Sequence, residues 1–130
     1  MTDLATAMSL HRAGRFTEAE SAYRAILSRE PSQIDATHLL GILTRQSGRP
    51  ETAVSLMRRA VELNDQVPEF HYNLATALID LDRLSEGADA CRRALALRSG
   101  YVDAAVLLAN VLARLGEDAA AVEAYHAVLA

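Results

Sequence analysis

One pattern recurs along the chain at a fixed step of 34 residues, and it constrains the fold more than any other feature. A residue that suits a left-handed turn returns at this step, at Gly14, Gly48, Asp82 and Gly116. Small residues keep the same register at Ala7, Gly41, Ala75 and Ala109. The period divides the 130 residues into repeats 1–33, 34–67, 68–101 and 102–130, of which the last is incomplete. Such a period predicts stacked supersecondary units.

Apolar residues within each repeat are spaced three and four apart, as in an amphipathic helix. Ala and Leu dominate the composition and all 13 basic residues are Arg, which also favours helices. We predict an all-α fold of about eight antiparallel helices, at approximately residues 3–13, 17–29, 35–47, 51–63, 69–81, 85–97, 103–115 and 119–129. Thr17 with Glu20 has the form of a capping box, Ser85 is a predicted N-cap, and Pro50 and Pro68 fit a first helical position.

Composition excludes several classes of function. The net charge of −4 leaves no basic surplus to neutralise phosphates, so we expect no nucleic-acid partner. No stretch approaches the roughly 18 apolar residues of a membrane span. The N-terminus also lacks the basic start and apolar run of a signal peptide, so we expect no membrane partner and a cytoplasmic location. The single cysteine, Cys91, agrees with a reducing compartment.

The sequence offers no constellation that would carry out catalysis. The four histidines fall at different repeat positions, and none forms a pair with metal-ligand spacing. Cys91 takes the register position of Tyr23 and Tyr125, which indicates a packed thiol rather than a nucleophile. The glycines occur about once per repeat and form no phosphate-binding loop. We therefore expect this segment to be no enzyme, with no catalytic residue, metal or cofactor.

The 34-residue period, two helices per unit, the small residues and a closing Pro31 resemble the tetratricopeptide repeat (TPR). The resemblance covers the whole chain. It implies a right-handed α-solenoid of helix-turn-helix units, forming a single TPR domain over residues 1–130. Two departures stand out. The aromatic residue expected at the fourth position is Thr37, His71 or Ala105, and Gly87 replaces the usual Ala at a helix crossing.

A finer resemblance concerns two segments, Ala36-Thr37-His38-Leu39-Leu40-Gly41-Ile42-Leu43 and Pro68-Glu69-Phe70-His71-Tyr72-Asn73-Leu74-Ala75. They look like repeats found N-terminal to the catalytic domain of bacterial transferases. These include relatives of the O-linked N-acetylglucosamine transferase, flagellin-modifying glycosyltransferases and repeat-bearing sulfotransferases. The resemblance implies a segment that recruits substrates for such an enzyme.

In TPR arrays the first helix of each unit lines a concave groove. Carried onto this sequence, the groove positions that form our candidate peptide-binding site are Met8, Arg12, His38, Leu39, Ile42, Arg45, Tyr72, Asn73, Thr76, Val106, Leu107 and Asn110. An apolar strip edged by polar groups fits an amphipathic helix or an extended peptide. Asparagine in such a groove can donate to and accept from a peptide backbone at once.

Simpler explanations stay open for several of these positions. The twist between repeats would bury some of the apolar residues. Asparagine at two positions also arises readily by chance. Arg12 and Arg45 lie near the ends of their helices, where a cation complements the helix dipole without any ligand.

The C-terminal end of the array is predicted to be open. Tyr125, Val128 and Leu129 lie on the last helix, which in a longer array would contact a further repeat. Because the chain begins with Met1, we expect a natural N-terminus cut from a longer protein at Ala130. In isolation, the open face would support a homodimer.

The leading hypothesis is a protein–protein interaction module that binds a peptide or helix of a client protein in its groove. In this hypothesis the chain is the substrate-recruiting N-terminal part of a larger bacterial glycosyltransferase, with the chemistry located after residue 130. The alternative is a self-associating structural or assembly scaffold with no attached enzyme. Fold alone does not separate the two.

Overall fold

The computed structural model describes residues 2–129. Within this range the chain forms helices and no strand: α1 (Leu4–Arg12), α2 (Phe16–Arg29), α3 (Ile34–Gln46), α4 (Pro50–Leu63), α5 (Pro68–Asp80), α6 (Leu84–Leu97), α7 (Val102–Arg114) and α8 (Asp118–Leu129). The predicted all-α class is confirmed. None of these helices has the length and apolarity needed to cross a membrane. The predicted ends at Met1 and Ala130 lie outside the described residues.

The helices form two compact units, with the division after Asn64. The first unit contains α1 to α4 and the second contains α5 to α8. In each unit, consecutive helices pack as antiparallel neighbours joined by short turns, as predicted. The grouping of all four repeats into one domain stays a prediction.

Each helix pair turns through one residue in the left-handed conformation, at the positions that the 34-residue period marks. The backbone φ is 77° at Gly14, 79° at Gly48, 59° at Asp82 and 78° at Gly116. A backbone hydrogen bond closes each turn, and in the first turn the amide of Arg15 donates to the carbonyl of Leu10 at 3.0 Å. Aspartate suits the third turn because its short polar side chain tolerates this conformation.

The predicted N-caps Thr17 and Ser85 are wrong. Both lie inside the first turn of their helices, because α2 and α6 begin one residue earlier than predicted. The residues that precede these helices, Arg15 and Arg83, make no side-chain capping bond. The two predicted proline starts are confirmed, since Pro50 and the proline of α5 open their helices.

A bidentate ion pair takes the place of the predicted capping box. Nε and Nη2 of Arg15 each donate to the carboxylate of Glu18 at 2.8 Å. Arg83 repeats this arrangement with Glu86 at the same distances. The two pairs join the residue before each helix to its first turn, and their fork geometry fixes both side chains.

The second repeat differs because Thr52 stands where the first and third repeats have glutamate. Arg49 therefore reaches across to Glu20 on α2, and its Nη1 and Nη2 donate at 3.1 and 2.6 Å. Arg24 donates to the same carboxylate at 2.9 Å. The hydrogen bonds from Arg49, followed by those from Arg24, outweigh partial burial and lower the pKa of Glu20 from 4.5 to about 2.

Small residues form the core of the first unit around one aromatic ring. Ala19 and Ala36 are fully buried, as are Tyr23, Leu40 and Leu43. Alanine side chains let neighbouring helices approach closely, and the leucines fill the remaining space at interior density. The helices are short and marginal alone, so this packing supplies most of their stability.

A close approach of α5 and α6 organises the second unit. A Cβ placed on Gly87 would lie 2.8 Å from Cγ1 of Ile79, which is too close for an unshifted neighbour. Gly87 therefore preserves the predicted helix crossing. Cys91 follows one turn later and is fully buried, and this burial raises the pKa of its thiol to about 12. Cys91 is a packing residue, as its register predicted.

Candidate functional site

The predicted groove positions all keep contact with solvent. Arg12, Arg45, Val106 and Asn110 are exposed and the other eight are half-buried. The simpler explanation by burial therefore applies only in part. It fits Leu39 best, since this side chain packs against the buried core of the first unit.

Four predicted residues meet at a cavity of about 540 Å³ in the first unit. Met8 and Arg12 come from α1, and Leu39 and Ile42 come from α3. We call this cavity the unit 1 cleft. Its volume lies within the range of about 300–1,000 Å³ that is typical of ligand pockets. The repeat register thus predicts residues that line one cavity although those of α1 and α3 are more than 25 positions apart in the sequence.

A hydrogen-bonded histidine forms the polar part of the unit 1 cleft. Nε2 of His11 lies 2.6 Å from Oε1 of Gln46, and its Nδ1 lies 2.9 Å from the hydroxyl of Tyr23. The amide oxygen only accepts, so Nε2 carries the hydrogen, and in the neutral ring Nδ1 accepts from the Tyr23 hydroxyl. Phe16 meets the His11 ring edge-on at 5.6 Å. His11, on α1, thus contacts residues of α2 and makes a hydrogen bond to a residue of α3.

Arg12 provides the positive charge of the unit 1 cleft. Its side chain is exposed, and its polar contact within the described residues is a long bond of 3.5 Å to the Ser9 hydroxyl. Burial raises the pKa of Tyr23, and the nearby Arg12 guanidinium opposes that shift. The Arg12 guanidinium therefore lies close enough to Tyr23 to influence it.

Two further predicted residues of the first unit, His38 and Arg45, do not line this cavity. Both take part in interactions within the chain. They lie on α3 beside the cleft and belong to its surroundings.

The predicted residues of the second unit form a different surface. The rings of Tyr72 and Tyr101 lie 5.3 Å apart, and the guanidinium of Arg98 sits 4.8 Å from the Tyr101 ring centre. Arg98 also pairs with Glu69. Burial and the surrounding carboxylates raise the pKa of Tyr101, against the effect of Arg98. This face presents two tilted aromatic rings whose neighbouring charged groups already interact with one another.

Both predicted asparagines of the second unit take part in interactions within the chain. Thr76 donates its hydroxyl to the backbone carbonyl of Asn73 at 2.6 Å. The hydroxyl of Tyr125 donates to Oδ1 of Asn110. Asn110 therefore accepts a hydrogen bond from the chain itself. Val106 and Leu107 lie one turn earlier on α7 and keep solvent contact.

The last helix exposes an apolar stripe, as the open-end prediction requires. Val122, Tyr125 and Leu129 are 51%, 39% and 81% exposed. Cys91, which holds the register position of Tyr125 one repeat earlier, is fully buried. The difference arises because α7 packs against α6, whereas α8 has no following helix among residues 2–129.

Val128 lies apart from this stripe. It lines a cavity of about 700 Å³ together with Ala105 and Leu108. One repeat earlier, the ring of His71 binds the carbonyl of Asp65 and so fastens the preceding loop, whereas Ala105 has no side chain that could do this. Ala105 therefore lines this cavity with a small side chain at the predicted aromatic position.

Chemistry other than binding finds no support in the described part of the chain. Residues 2–129 hold no group of three or more His, Cys, Asp or Glu side chains arranged for a metal ion. The buried thiol of Cys91, with its pKa raised to about 12, is a poor nucleophile.

The structure adds aromatic residues to the unit 1 cleft that sequence reasoning missed. Phe16 and Tyr23 lie on α2, the second helix of the repeat, whereas the groove rule considers only first helices. The sequence feature that distinguishes Phe16 is its place in the repeat register. Phe16 aligns with Pro50, Leu84 and Asp118 in the other repeats, so only the first repeat has a ring there.

Comparison with known proteins identifies the family of this chain. The family model described as tetratricopeptide repeat matches residues 4–68, 38–102 and 72–130. Among curated proteins, none matches the chain significantly.

Solved structures share the fold. A crystal structure of MamA has a TM-score of 0.92 and 29% identity, covering 99% of this chain and 74% of that one. MamA from Desulfovibrio magneticus RS-1 has a TM-score of 0.92 and 18% identity, covering 96% and 71%. A mutant O-GlcNAc transferase from Thermobaculum terrenum has a TM-score of 0.77 and 33% identity, covering 84% of this chain and 21% of the transferase.

Proposed function

The chain belongs to the tetratricopeptide repeat family, and we propose that it is a protein-interaction module that holds a peptide or helix of a client protein on the face of its first helices. The unit 1 cleft carries this proposal. It combines half-buried apolar walls with a free cation and a fixed polar network, as ligand sites do.

We further propose that the module recruits substrates for a bacterial glycosyltransferase. The support is the similarity to the Thermobaculum terrenum O-GlcNAc transferase, at 33% identity over 84% of this chain. Because the match spans 21% of that transferase, catalysis would belong to other parts of such a protein. A cytoplasmic location is part of this proposal.

The test of client binding uses peptides selected from a random-peptide library on the immobilised chain. Replacing both Met8→Gln and Ile42→Gln removes apolar character from the cleft while keeping side-chain bulk. Leu39 is left intact because it also packs against the core, so its loss would mix folding with binding. Loss of these two apolar contacts is expected to weaken peptide binding about tenfold, measured by fluorescence anisotropy.

The control makes the same kind of change at two apolar residues outside the cleft, Leu97→Gln and Leu115→Gln, each 37% exposed in the natural chain. It is expected to bind the selected peptides as the unmodified chain does. Circular dichroism checks that both double variants remain helical. If the selected peptides bind the cleft variant and the control equally well, the proposed binding face is wrong.

The transferase context has its own experiment. In the natural full-length protein, the cleft variant is expected to slow sugar transfer to the client and to leave transfer to a short free acceptor unchanged. A natural reading frame that encodes no glycosyltransferase domain would refute this part of the proposal. Client binding would then stand without it.

The exposed stripe of α8 favours a second candidate, self-association as a scaffold. Val122 and Leu129 would meet the same residues of a second copy across a two-fold axis. Light scattering coupled to size exclusion tests this with the double variant Val122→Glu and Leu129→Glu. We expect dimers of the unmodified chain and monomers of the variant. A parent that is monomeric at all concentrations excludes this candidate.

A further inference from the structure

The chain contains arginine and no lysine, and most arginines of the first unit take part in ion pairs or hydrogen bonds. Arg15, Arg24 and Arg49 pair with carboxylates at 2.6 to 2.9 Å. Arg12 forms no ion pair with any described residue. Its guanidinium stands at the edge of the unit 1 cleft with its charge unbalanced.

The rest of the cleft lining gives no compensating charge. The lining holds no carboxylate, and its walls next to Arg12 are the apolar side chains of Met8, Leu39, Ile42 and Phe16. Because the Arg12 side chain is exposed, water screens its charge, and an ion pair made there has the modest strength of a surface pair. The chain as a whole carries a net charge of −4, so this cleft differs in sign from the average surface.

Charge and shape together define the ligand. We infer that the unit 1 cleft recognises a client segment in which a bulky apolar side chain is followed or preceded directly by Asp or Glu. The apolar side chain enters between Met8 and Ile42, and the carboxylate pairs with Arg12. This inference rests on the proposed client binding and adds to it the sequence class of the client.

The planar guanidinium suits this role because it can bind a carboxylate through two parallel hydrogen bonds. The network of His11, Tyr23 and Gln46 contributes indirectly. It links α1, α2 and α3 beside the cleft and so helps to position the helices that carry Met8, Arg12 and Ile42 relative to one another.

The experiment repeats the random-peptide selection with two charge-reversal variants. Arg12→Glu inverts the charge of the cleft. Arg93→Glu makes the same charge change on α6, at an exposed arginine that likewise pairs with no described carboxylate. The unmodified chain and Arg93→Glu are expected to enrich Asp or Glu beside Leu, Ile, Met or Phe. Arg12→Glu is expected to enrich Lys or Arg beside the same apolar residues.

Affinities then test the pairing directly. The best peptide from the unmodified chain is compared with a copy in which its carboxylate is replaced by the matching amide. We expect the amide copy to bind the unmodified chain about three- to fivefold more weakly, and to bind Arg12→Gln as well as the acidic peptide does.

Failure of the acidic specificity is distinguishable from failure of the proposed function. If selected peptides lose binding in the Met8→Gln and Ile42→Gln variant but show no acidic residue, client binding stands and the acidic specificity is wrong. If the selected peptides carry the acidic residue but bind Arg12→Glu as tightly as the unmodified chain, another residue contacts the carboxylate. The inference is then overturned. If binding is indifferent to both cleft variants, the proposed function itself fails.

Discussion

Replacing Gly87 by alanine is expected to destabilise the chain, although alanine is the better helix former. Inside a helix the exchange gains about 1 kcal/mol. The added Cβ would lie 2.8 Å from Cγ1 and 3.3 Å from Cδ1 of Ile79 on α5. Overpacking of this kind costs about 1–3 kcal/mol. The expected net effect of Gly87→Ala is therefore a loss of about 1 kcal/mol.

A second substitution isolates the cause. Ile79→Ala removes both atoms that the new Cβ would strike, and the next neighbour, the backbone oxygen of Ala75, lies at an ordinary 3.5 Å. In this background Gly87→Ala is expected to stabilise by about 1 kcal/mol, because only the helix preference remains. The effect of Gly87→Ala on stability thus changes sign between the two backgrounds, which corresponds to a coupling energy of about 2 kcal/mol between the two positions.

Urea unfolding followed by circular dichroism measures all four chains of this cycle. Equal slopes of free energy against urea would show that the same transition is compared throughout. The cost of Ile79→Ala itself cancels in the cycle. If Gly87→Ala changes stability by the same amount in both backgrounds, steric exclusion by Ile79 is not the reason for glycine at this position.

Three further predictions concern other parts of the chain. Glu20→Gln should cost about 1 kcal/mol at neutral pH, since half-exposed Arg49 is screened by water and only part of the pKa shift counts. A pKa lowered on folding stabilises at neutral pH and stops doing so on acidification. The difference in free energy of unfolding between Glu20→Gln and the unmodified chain, measured with urea, should therefore shrink as the pH falls from 4.5 to about 2. A difference that stays constant over this range would contradict the ion pair. Gly14→Ala should cost about 1–2 kcal/mol in the same assay because φ is 77°, whereas Gly100→Ala, equally free of neighbours but without a left-handed φ, should not destabilise. Cys91 should react with a thiol reagent only as urea unfolds the chain, and rapid labelling of the folded chain would contradict its burial.

Turns were predictable from sequence because one residue decides them. A left-handed φ admits glycine readily and few other residues, so Gly48 and Asp82 mark the turns without knowledge of any tertiary contact. Helix starts were harder to predict. A threonine or serine near the start satisfies the capping rule, yet the turn geometry fixes the start one residue earlier, where Arg15 precedes α2.

The sequence predicts the residues of the unit 1 cleft that lie on first helices, but it does not predict the aromatic residues that line the cleft from α2. Met8 and Ile42 follow from register, since the repeat places both on one face. Phe16 and Tyr23 reach the same cavity from α2, and that depends on side-chain directions that a register does not contain. The same limit applies to the ion pair of Glu20, which arises only because Thr52 deprives Arg49 of a local partner.

The left-handed turns have a consequence for how the chain tolerates added sequence. At Gly14, Gly48 and Gly116, nothing lies within 4 Å of the space that a Cβ would occupy. Loop tips open to solvent accept insertions, and each doubling of loop length costs only about 0.6 kcal/mol. These turns are therefore where a tag, a fluorophore-bearing peptide or an entire foreign domain can be spliced into a helix pair while its packed faces stay intact.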